Sequence, residues 1–215
     1  MSARTVSLAI VDYGAGNLHS LAKALSAPGI EVFIEEDASR AVNRDRYDVL
    51  ALPGVGAFPG AAARLSRACS AIRAAIDDGF PVIGICLGMQ LLFESSAEGP
   101  GEGLGVIPGV VRRLHTTRVP QIGWNTVESP DGERLTAAEA TIDTVYYANS
   151  YVCEPADVQC VTGWSTYEGD RFAAAVRAGP AMNVIGMQFH PEKSSTPGLR
   201  YLQATVAEAL AGVQR

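Results

Sequence analysis

The first half of the chain alternates short β-branched apolar runs with helical patterns, and this alternation constrains the fold more than any other feature. The order is VSLAIVDY, NLHSLAKALSA, IEVFIEE, YDVLAL, PGAAARLSRACSAIRAAIDDG, FPVIGI and LGMQLLFESS. A repeated strand, helix, strand order makes the strands parallel and covers both faces of their sheet with helices. We therefore predict an α/β fold with a central, mostly parallel sheet flanked by helices.

The second half has a different texture. After Gly99, short strand-like runs are separated by glycine, proline and aromatic residues: GVVRRL, VPQIGWNTV, TVYYANSYV, VQCVTGWSTY and RFAAAVRAG. These runs predict antiparallel strands and hairpins added to the first half. A last β run, AMNVIGMQF, precedes an amphipathic helix with Pro197 near its first turn. Because no linker or repeat interrupts the sequence, we predict one domain over residues 1–215.

Charge and hydropathy argue against two classes of partner. The 215-residue chain has a formal net charge of −6, which opposes binding to nucleic-acid phosphates. We interpret its only basic cluster, Arg112, Arg113 and Arg118, as a solvated strand face. The longest apolar run, residues 79–93, is shorter than the roughly 18 residues that a membrane-spanning helix needs. We expect a cytoplasmic protein with no nucleic-acid or membrane partner and with four free cysteine thiols.

Three glycine-bearing turns follow predicted strands: DYGAGN at 12–17, LPGVGAF at 52–58 and GICLG at 84–88. Ligands of parallel sheets bind beyond the carboxyl ends of the strands, so all three turns face the same candidate edge. DYGAGN lacks the third glycine of a dinucleotide motif, and no P-loop occurs. With three scattered histidines and no acidic cluster, we predict neither a metal site nor a cofactor.

Gly84-Ile85-Cys86-Leu87-Gly88 lies between an apolar strand and a helical pattern. This is the context of a nucleophile elbow, with cysteine in place of serine. The sharp turn favours glycine at its flanks, the helix N-terminus stabilises a thiolate, and the amide of Leu87 is placed to bind an oxyanion. The alternative is a buried, inert cysteine beside turn glycines.

A thiol nucleophile needs an imidazole base and a group that orients it. Of the three histidines, only His190 has a carboxylate within two positions, that of Glu192. In an extended segment the two side chains point to the same side, so we choose His190 as base and Glu192 as its orienting group. The alternative is a strand end with a partly exposed histidine.

The loop LPGVGAF supplies a possible second oxyanion donor. Its glycines, Gly54 and Gly56, flank Val55 and leave the backbone amides of the turn unobstructed. An amide of Val55 or Gly56, together with that of Leu87, would form an oxyanion hole. The alternative is a plain turn after a buried strand.

Together, GICLGMQLLF, the PGVG loop and FHPE resemble the class I, triad-type glutamine amidotransferases. DYGAGNLHS, LPGVGAF, VPQIGWN and FHPEKSS narrow the resemblance to the glutaminase subunits of imidazole glycerol phosphate synthase, over Asp12 to Lys193. The resemblance implies a flavodoxin-like amidotransferase fold and glutamine hydrolysis through a Cys86 thioester. It also implies a heterodimer with a (β/α)8 barrel cyclase, which uses the ammonia to make imidazole glycerol phosphate and AICAR in histidine biosynthesis.

The resemblance also assigns roles to residues. It makes Cys86 the nucleophile, His190 the general base and acid, and Glu192 the third member of the triad. It implies glutamine recognition by Gly54, Gln90, Glu98, Asn149, Ser150 and Tyr151, and a face toward the synthase partner at Asn17, Trp124, Tyr146 and Lys193. The family commonly has histidine at the position of Asn149, which leaves open a paralogous ammonia-requiring synthase as the acceptor.

Two further readings stay open on the sequence. The chain could be a flavodoxin-like module that binds a nucleotide or phosphate through DYGAGN, with Cys86 inert. It could also be a cysteine hydrolase with the same triad acting on another amide or ester. A glutamine-analogue electrophile separates the readings, because only a glutaminase is expected to be labelled at Cys86.

Overall fold

The computed structural model describes residues 5–14 and 18–213. Its strands are β1 Val6–Val11, β2 Ile30–Glu35, β3 Val49–Leu52, β4 Val82–Ile85, β5 Ser95–Ser96, β6 Gly109–Arg113, β7 Gln121–Thr126, β8 Leu135–Ala137, β9 Ala140–Ile142, β10 Thr144–Asn149, β11 Tyr151–Pro155, β12 Val161–Tyr167, β13 Asp170–Ala178 and β14 Val184–Met187. Its α-helices are α1 Leu18–Leu25, α2 Phe58–Leu65, α3 Cys69–Asp77, α4 Leu87–Gln90 and α5 Ser195–Val213.

The central sheet has the order β2-β1-β3-β4-β14-β13-β11-β6-β5, with β12 paired to β13. The pairings from β2 to β14 are parallel, and those from β14 through β13 and β11 to β6 are antiparallel. Strands β3, β4 and β14 are buried at every residue, because apolar clusters cover both faces of the sheet. The predicted α/β fold with an added antiparallel region is confirmed.

The return of the chain to the middle of the sheet brings distant sequence segments together. Strand β14 lies beside β4 in parallel, with Gly186 opposite Gly84 and Met187 opposite Ile85. The residues that follow the two strands therefore leave the sheet side by side. The elbow after β4 and the FHPE segment after β14 meet at the carboxyl edge, where the sequence predicts a site.

Two small antiparallel ribbons, β7 with β10 and β8 with β9, complete the second half. Tyr147 on β10 is fully buried, and its hydroxyl lies 2.5 Å from the Ser165 hydroxyl on β12. The ring of Phe189 packs at 6.2 Å from that of Tyr147 and at 6.0 Å from that of Tyr201 on α5. These contacts fix the first ribbon against the segment that carries His190.

Two helix predictions need correction. The single helical pattern over 59–79 is divided into α2 and α3 by a 3₁₀ turn at Ser66–Ala68. The pattern LGMQLLFESS forms only the short α4. The backbone carbonyls that follow α4, which a longer helix would bond internally, accept hydrogen bonds from a later loop instead. The carbonyls of Leu91 and Phe93 accept from the amides of Leu104 and Gly105. Helix α5 carries Pro197 in its first turn, as predicted.

The interpretation of the basic cluster as a solvated face is wrong for Arg112. Its guanidinium donates two hydrogen bonds of 2.8 Å to the carboxylate of Asp170, and its side chain is 15% exposed. Burial raises the pKa of Asp170, but the hydrogen bonds from Arg112 and from the His115 amide, together with the charge of Arg112, outweigh it and lower that pKa. Among the described residues, none of the helices is both long and apolar enough to span a membrane.

Candidate active site

Cys86 occupies the sharp turn between β4 and α4. Its φ of 51° and ψ of −105° lie in a region that residues other than glycine rarely adopt. Hydrogen bonds hold this conformation: the Cys86 amide donates to the Met187 carbonyl at 2.6 Å, and the Gln90 amide donates to the Cys86 carbonyl at 3.1 Å. The geometry is that of the predicted nucleophile elbow.

The glycines on either side of the thiol are required by close backbone approach. A Cβ atom on Gly84 would lie 2.6 Å from the carbonyl oxygen of Gly88. A Cβ atom on Gly88 would lie 2.0 Å from the carbonyl oxygen of Leu52 on the neighbouring strand. Neither contact leaves room for a side chain, so the elbow closes only with glycine at both positions.

The loop after β3 lies directly against the elbow. A Cβ atom on Gly54 would lie 2.0 Å from the Ile85 carbonyl oxygen and 2.8 Å from the Cys86 Cβ atom. The buried hydroxyl of Tyr13 donates a hydrogen bond to the Pro53 carbonyl at the start of the same loop. The loop thus packs directly against the elbow, and the Tyr13 hydroxyl anchors its first carbonyl.

A cavity of about 190 Å³ opens at this junction. It is lined by the loop after β3, the elbow, the segment after β5, and the junction of β10 and β11: Gly54, Val55, Gly56, Cys86, Leu87, Gln90, Glu98, Ala148, Asn149, Ser150 and Tyr151. The structure therefore brings every residue predicted for the oxyanion hole and for substrate binding to one cavity, together with the predicted nucleophile. Ala148 is the only lining residue that the sequence analysis did not single out.

His190 and Glu192 are side by side and close to the nucleophile, although neither lines the cavity. The Nδ1 atom of His190 lies 2.8 Å from Oε1 of Glu192, and the His190 side chain is 1% exposed. The backbone of His190 is extended, but Pro191–Lys193 forms a 3₁₀ turn. The proposed extended geometry is therefore wrong, and a turn brings the carboxylate to the imidazole.

Ser194 fastens the turn that carries the imidazole. Its hydroxyl donates to the His190 carbonyl at 2.7 Å and accepts from the Tyr146 amide at 2.9 Å. The His190 amide in turn donates to the Tyr146 carbonyl at 2.9 Å. The other two histidines, His19 and His115, are exposed and lie in other parts of the chain.

The Nε2 atom of His190 is buried without a hydrogen-bond partner among the described side chains and backbone. Burial lowers the pKa of His190, but the charge of a Cys86 thiolate and the bonded carboxylate of Glu192 outweigh it and raise the pKa to about 10. An imidazole that is bonded through Nδ1 to a carboxylate keeps its Nε2 atom free. The Nε2 atom of His190 is therefore the one that can exchange a proton with the sulfur of Cys86.

Removing the thiolate is expected to lower the pKa of His190. In Cys86→Ala the largest raising contribution is gone while the burial of the ring remains, so the pKa should fall by about 1 to 3 pH units. Histidine NMR titration measures this change, with His19 and His115 as internal controls. An unchanged titration of His190 in Cys86→Ala would show that the two side chains are not coupled.

Two predicted substrate-binding side chains are already engaged within the protein. Oε2 of Glu98 accepts from the Phe58 amide at the start of α2 at 2.7 Å. Nδ2 of Asn149 donates to the Tyr151 carbonyl at 3.1 Å, whereas Oδ1 of Asn149 is buried without a partner in the described structure. Oδ1 of Asn149 is therefore a buried acceptor that is left for a hydrogen bond from a ligand.

The residues predicted to face a partner form one exposed surface. Trp124 on β7 is 54% exposed, and its ring meets that of Tyr146 edge to face at 6.1 Å. The ammonium of Lys193 lies 6.0 Å from the Tyr146 ring centroid, and Ile122, two residues before Trp124, is 67% exposed. We call Ile122, Trp124, Tyr146 and Lys193 the ribbon face. Asn17, the fourth predicted partner residue, lies outside the described residues.

Sequence reasoning missed three buried side chains that organise the site: Tyr13, Gln188 and Ser194. Gln188 offered a signal, because it is the only amide in the apolar run VIGMQF. A polar residue in a strand that is buried on both faces requires a hydrogen-bond partner. For Tyr13 and Ser194 no comparable pattern exists, because their partners are backbone carbonyls that only the folded chain brings near.

Comparisons with known proteins agree with this geometry. The family described as glutamine amidotransferase class-I matches residues 9–209. The imidazole glycerol phosphate synthase subunit HisH of Chlorobaculum tepidum is 41% identical over 90% of this chain and 96% of its own length. HisH of Moorella thermoacetica is also 41% identical, over 91% of this chain and 92% of its own length. The structure of PurLQS from Thermotoga maritima matches with a TM-score of 0.69 at 21% identity, covering 94% of this chain and 98% of that chain.

Proposed function

Because this chain belongs to the class I glutamine amidotransferases, we propose that it hydrolyses glutamine and supplies the ammonia to a synthase partner that makes imidazole glycerol phosphate and AICAR in histidine biosynthesis. The observation that carries the proposal is the strained elbow of Cys86, which opens into the cavity and is coupled to the buried pair of His190 and Glu192. The names of the relatives support the pathway.

In the proposed first half-reaction, the Cys86 thiolate attacks the carboxamide carbon of glutamine. The carbonyl electron pair moves to the oxygen, and the amide of Leu87 with an amide of Val55 or Gly56 stabilises the oxyanion. His190 then protonates the departing nitrogen, the C–N bond breaks, and ammonia leaves a cysteinyl thioester. The raised pKa of His190 suits this acid role, since the ring is protonated when the thiolate is formed.

The second half-reaction returns the enzyme to its starting state. His190 removes a proton from water, and the resulting hydroxide attacks the thioester carbonyl within the same oxyanion hole. The C–S bond breaks, glutamate departs, and the proton remains on His190 beside the restored Cys86 thiolate. Glu192 accepts from Nδ1–H of His190 and so fixes the ring with Nε2 directed away from the carboxylate.

The residues of the cavity would recognise the rest of the substrate. The proposed contacts come from Gly54, Gln90, Glu98, Asn149, Ser150 and Tyr151, which line the space beside Cys86. The free Oδ1 of Asn149 offers an acceptor for the α-ammonium or side-chain amide of glutamine. We propose that the chain works as one domain over 1–215 in the cytoplasm, where its four cysteines remain free thiols.

The ammonia acceptor is proposed to be a (β/α)8 barrel cyclase that docks on the ribbon face and completes a heterodimer. Ammonia is mostly protonated in neutral water and is then no longer nucleophilic, so its transfer favours a docked partner. The ribbon face offers an exposed tryptophan, Trp124, beside Tyr146 and Lys193. Aromatic residues are enriched at the centres of protein interfaces, which a polar rim surrounds.

We expect glutamate release by this chain alone to be slow and to rise about tenfold or more when the cyclase and its ligand are added, because hydrolysis without an acceptor would waste glutamine. Trp124→Ala should remove most of this increase by weakening docking, as loss of an interface tryptophan typically does. Val158→Ala is the matched control, because Val158 is 62% exposed outside the ribbon face. Equal rates with and without the cyclase would refute the proposed partner.

A further inference from the structure

Two buried glutamine side chains connect the nucleophile to the backbone of β11. Gln188 is fully buried and Gln90 is 5% exposed. Nε2 of Gln90 donates to the Tyr151 carbonyl at 3.0 Å and to Oε1 of Gln188 at 3.2 Å. Nε2 of Gln188 then donates to Sγ of Cys86 at 3.6 Å. We call this chain of hydrogen bonds the glutamine relay.

The direction of the relay is fixed at its far end. The Tyr151 carbonyl only accepts, so the atom of Gln90 that faces it has to be the amide nitrogen. That nitrogen has two protons, and the second one is donated to Gln188. The Gln188 atom that accepts it has to be the amide oxygen, Oε1. The Gln188 amide nitrogen is thereby left facing Cys86. The reverse orientation of Gln188 would bring two donors together and place an oxygen against the sulfur.

The relay also limits what Gln90 offers to a substrate. Both protons of its amide nitrogen are used within the protein, although Gln90 lines the cavity. A substrate can therefore use only its carbonyl oxygen. The main task of the Gln90 amide nitrogen in this structure is to orient Gln188.

We propose that Gln188 is a positioning residue for the nucleophile, whose amide N–H, oriented by Gln90, stabilises the Cys86 thiolate and fixes the position of its sulfur. This role deepens the proposed glutaminase function and rests on it. An N–H donor to an anionic acceptor is stronger than one to a neutral acceptor, so the bond favours the thiolate over the thiol. In this proposal His190 exchanges a proton with the sulfur, whereas Gln188 donates a hydrogen bond to it without transferring its proton.

The test is the pH dependence of Cys86 alkylation by iodoacetamide in the absence of glutamine. Mass spectrometry of the Cys86 peptide isolates this thiol from Cys69 and Cys160, which are partly exposed. Gln188→Met keeps the length of the side chain but removes the donor. We expect the alkylation profile to move to higher pH and the rate at neutral pH to fall about tenfold.

Three further variants separate the relay from simple packing. Gln90→Met should shift the profile in the same direction by a smaller amount, because Gln188 remains but is no longer oriented. The double variant should match Gln188→Met alone, since Gln90 acts only through Gln188. Cys153→Ala is the packing control. The Cys153 thiol also donates to Oε1 of Gln188, but over 4.0 Å, so its loss should move the profile less than Gln90→Met does.

An unchanged profile in Gln188→Met would overturn the proposal, as would additive shifts in the double variant or an equal shift in Cys153→Ala. If Gln188→Met does not fold, Gln90→Met provides the test: a shift of its alkylation profile to higher pH supports the proposal, and an unchanged profile overturns it. A shifted alkylation profile in a chain that fails to hydrolyse glutamine, even with the cyclase, would support the relay and refute the proposed function. If the chain hydrolyses glutamine but the alkylation profile of Gln188→Met is unchanged, the proposed function is supported and the glutamine relay is refuted.

Discussion

Replacing Cys86 with alanine should lower glutamate release by at least about three orders of magnitude, measured with the cyclase and its ligand present. The thiol is the only nucleophile of the cavity that sits on a strained strand-to-helix turn and is coupled to a histidine. Without it no thioester forms, and the oxyanion hole is left with nothing to stabilise except rare attack by water.

A matched set of variants makes this result specific. His190→Asn should lower the rate of glutamate release about as much as Cys86→Ala does. The double variant should be no slower than either single variant, because triad members act as a unit. Cys69→Ala should retain full activity, since Cys69 begins α3 and does not line the cavity. If Cys86→Ala retained a rate within about tenfold of the unaltered chain, the thioester mechanism would be wrong.

Replacing Gly54 with alanine should have the second largest effect. Its new methyl group would lie 2.0 Å from the Ile85 carbonyl oxygen and 2.8 Å from the Cys86 Cβ, so the loop has to leave the elbow. Losing one oxyanion donor costs about two to three orders of magnitude in turnover, and glutamate release should fall by that amount. The free energy of unfolding should also decrease, because the backbone clash strains the packed sheet edge.

Gly60→Ala is the control for this substitution. Gly60 lies in α2 of the same segment, and nothing approaches within 4 Å of the position of its added Cβ. Alanine should stabilise the helix there by up to about 1 kcal/mol and leave glutamate release unchanged. Thermal unfolding and glutamate assays compare the two variants. Unaltered activity in Gly54→Ala would mean that the loop does not contribute to the oxyanion hole.

The sequence predicted the parts of the fold that local patterns determine. The β-branched runs of β1, β3 and β4 pair in parallel, as predicted, and the class I amidotransferase resemblance is confirmed by the family match. The glycine-flanked cysteine and the PGVG loop were recognisable because their spacing follows from backbone crowding that only glycine tolerates. Such local requirements are written in short motifs.

Features that depend on long-range contacts could not be predicted from short sequence motifs. The pattern LGMQLLFESS is helical by periodicity, yet α4 ends at Gln90, and the carbonyl of Leu91 just beyond it accepts from the amide of Leu104 in a later loop. The pairing of His190 with Glu192 was predicted from the wrong geometry, since a turn and not an extended segment joins them. The glutamine relay needs β14 beside β4, and this adjacency is a property of the topology.

The most direct test of the central claim is the intact mass of the chain after incubation with 6-diazo-5-oxo-norleucine, a glutamine-shaped electrophile. If the Cys86 thiolate opens into a glutamine cavity, one adduct should form on Cys86, excess glutamine should slow it, and Cys86→Ala should stay unlabelled. An adduct on another residue, or no adduct in a chain that still hydrolyses glutamine with its partner, would contradict the account.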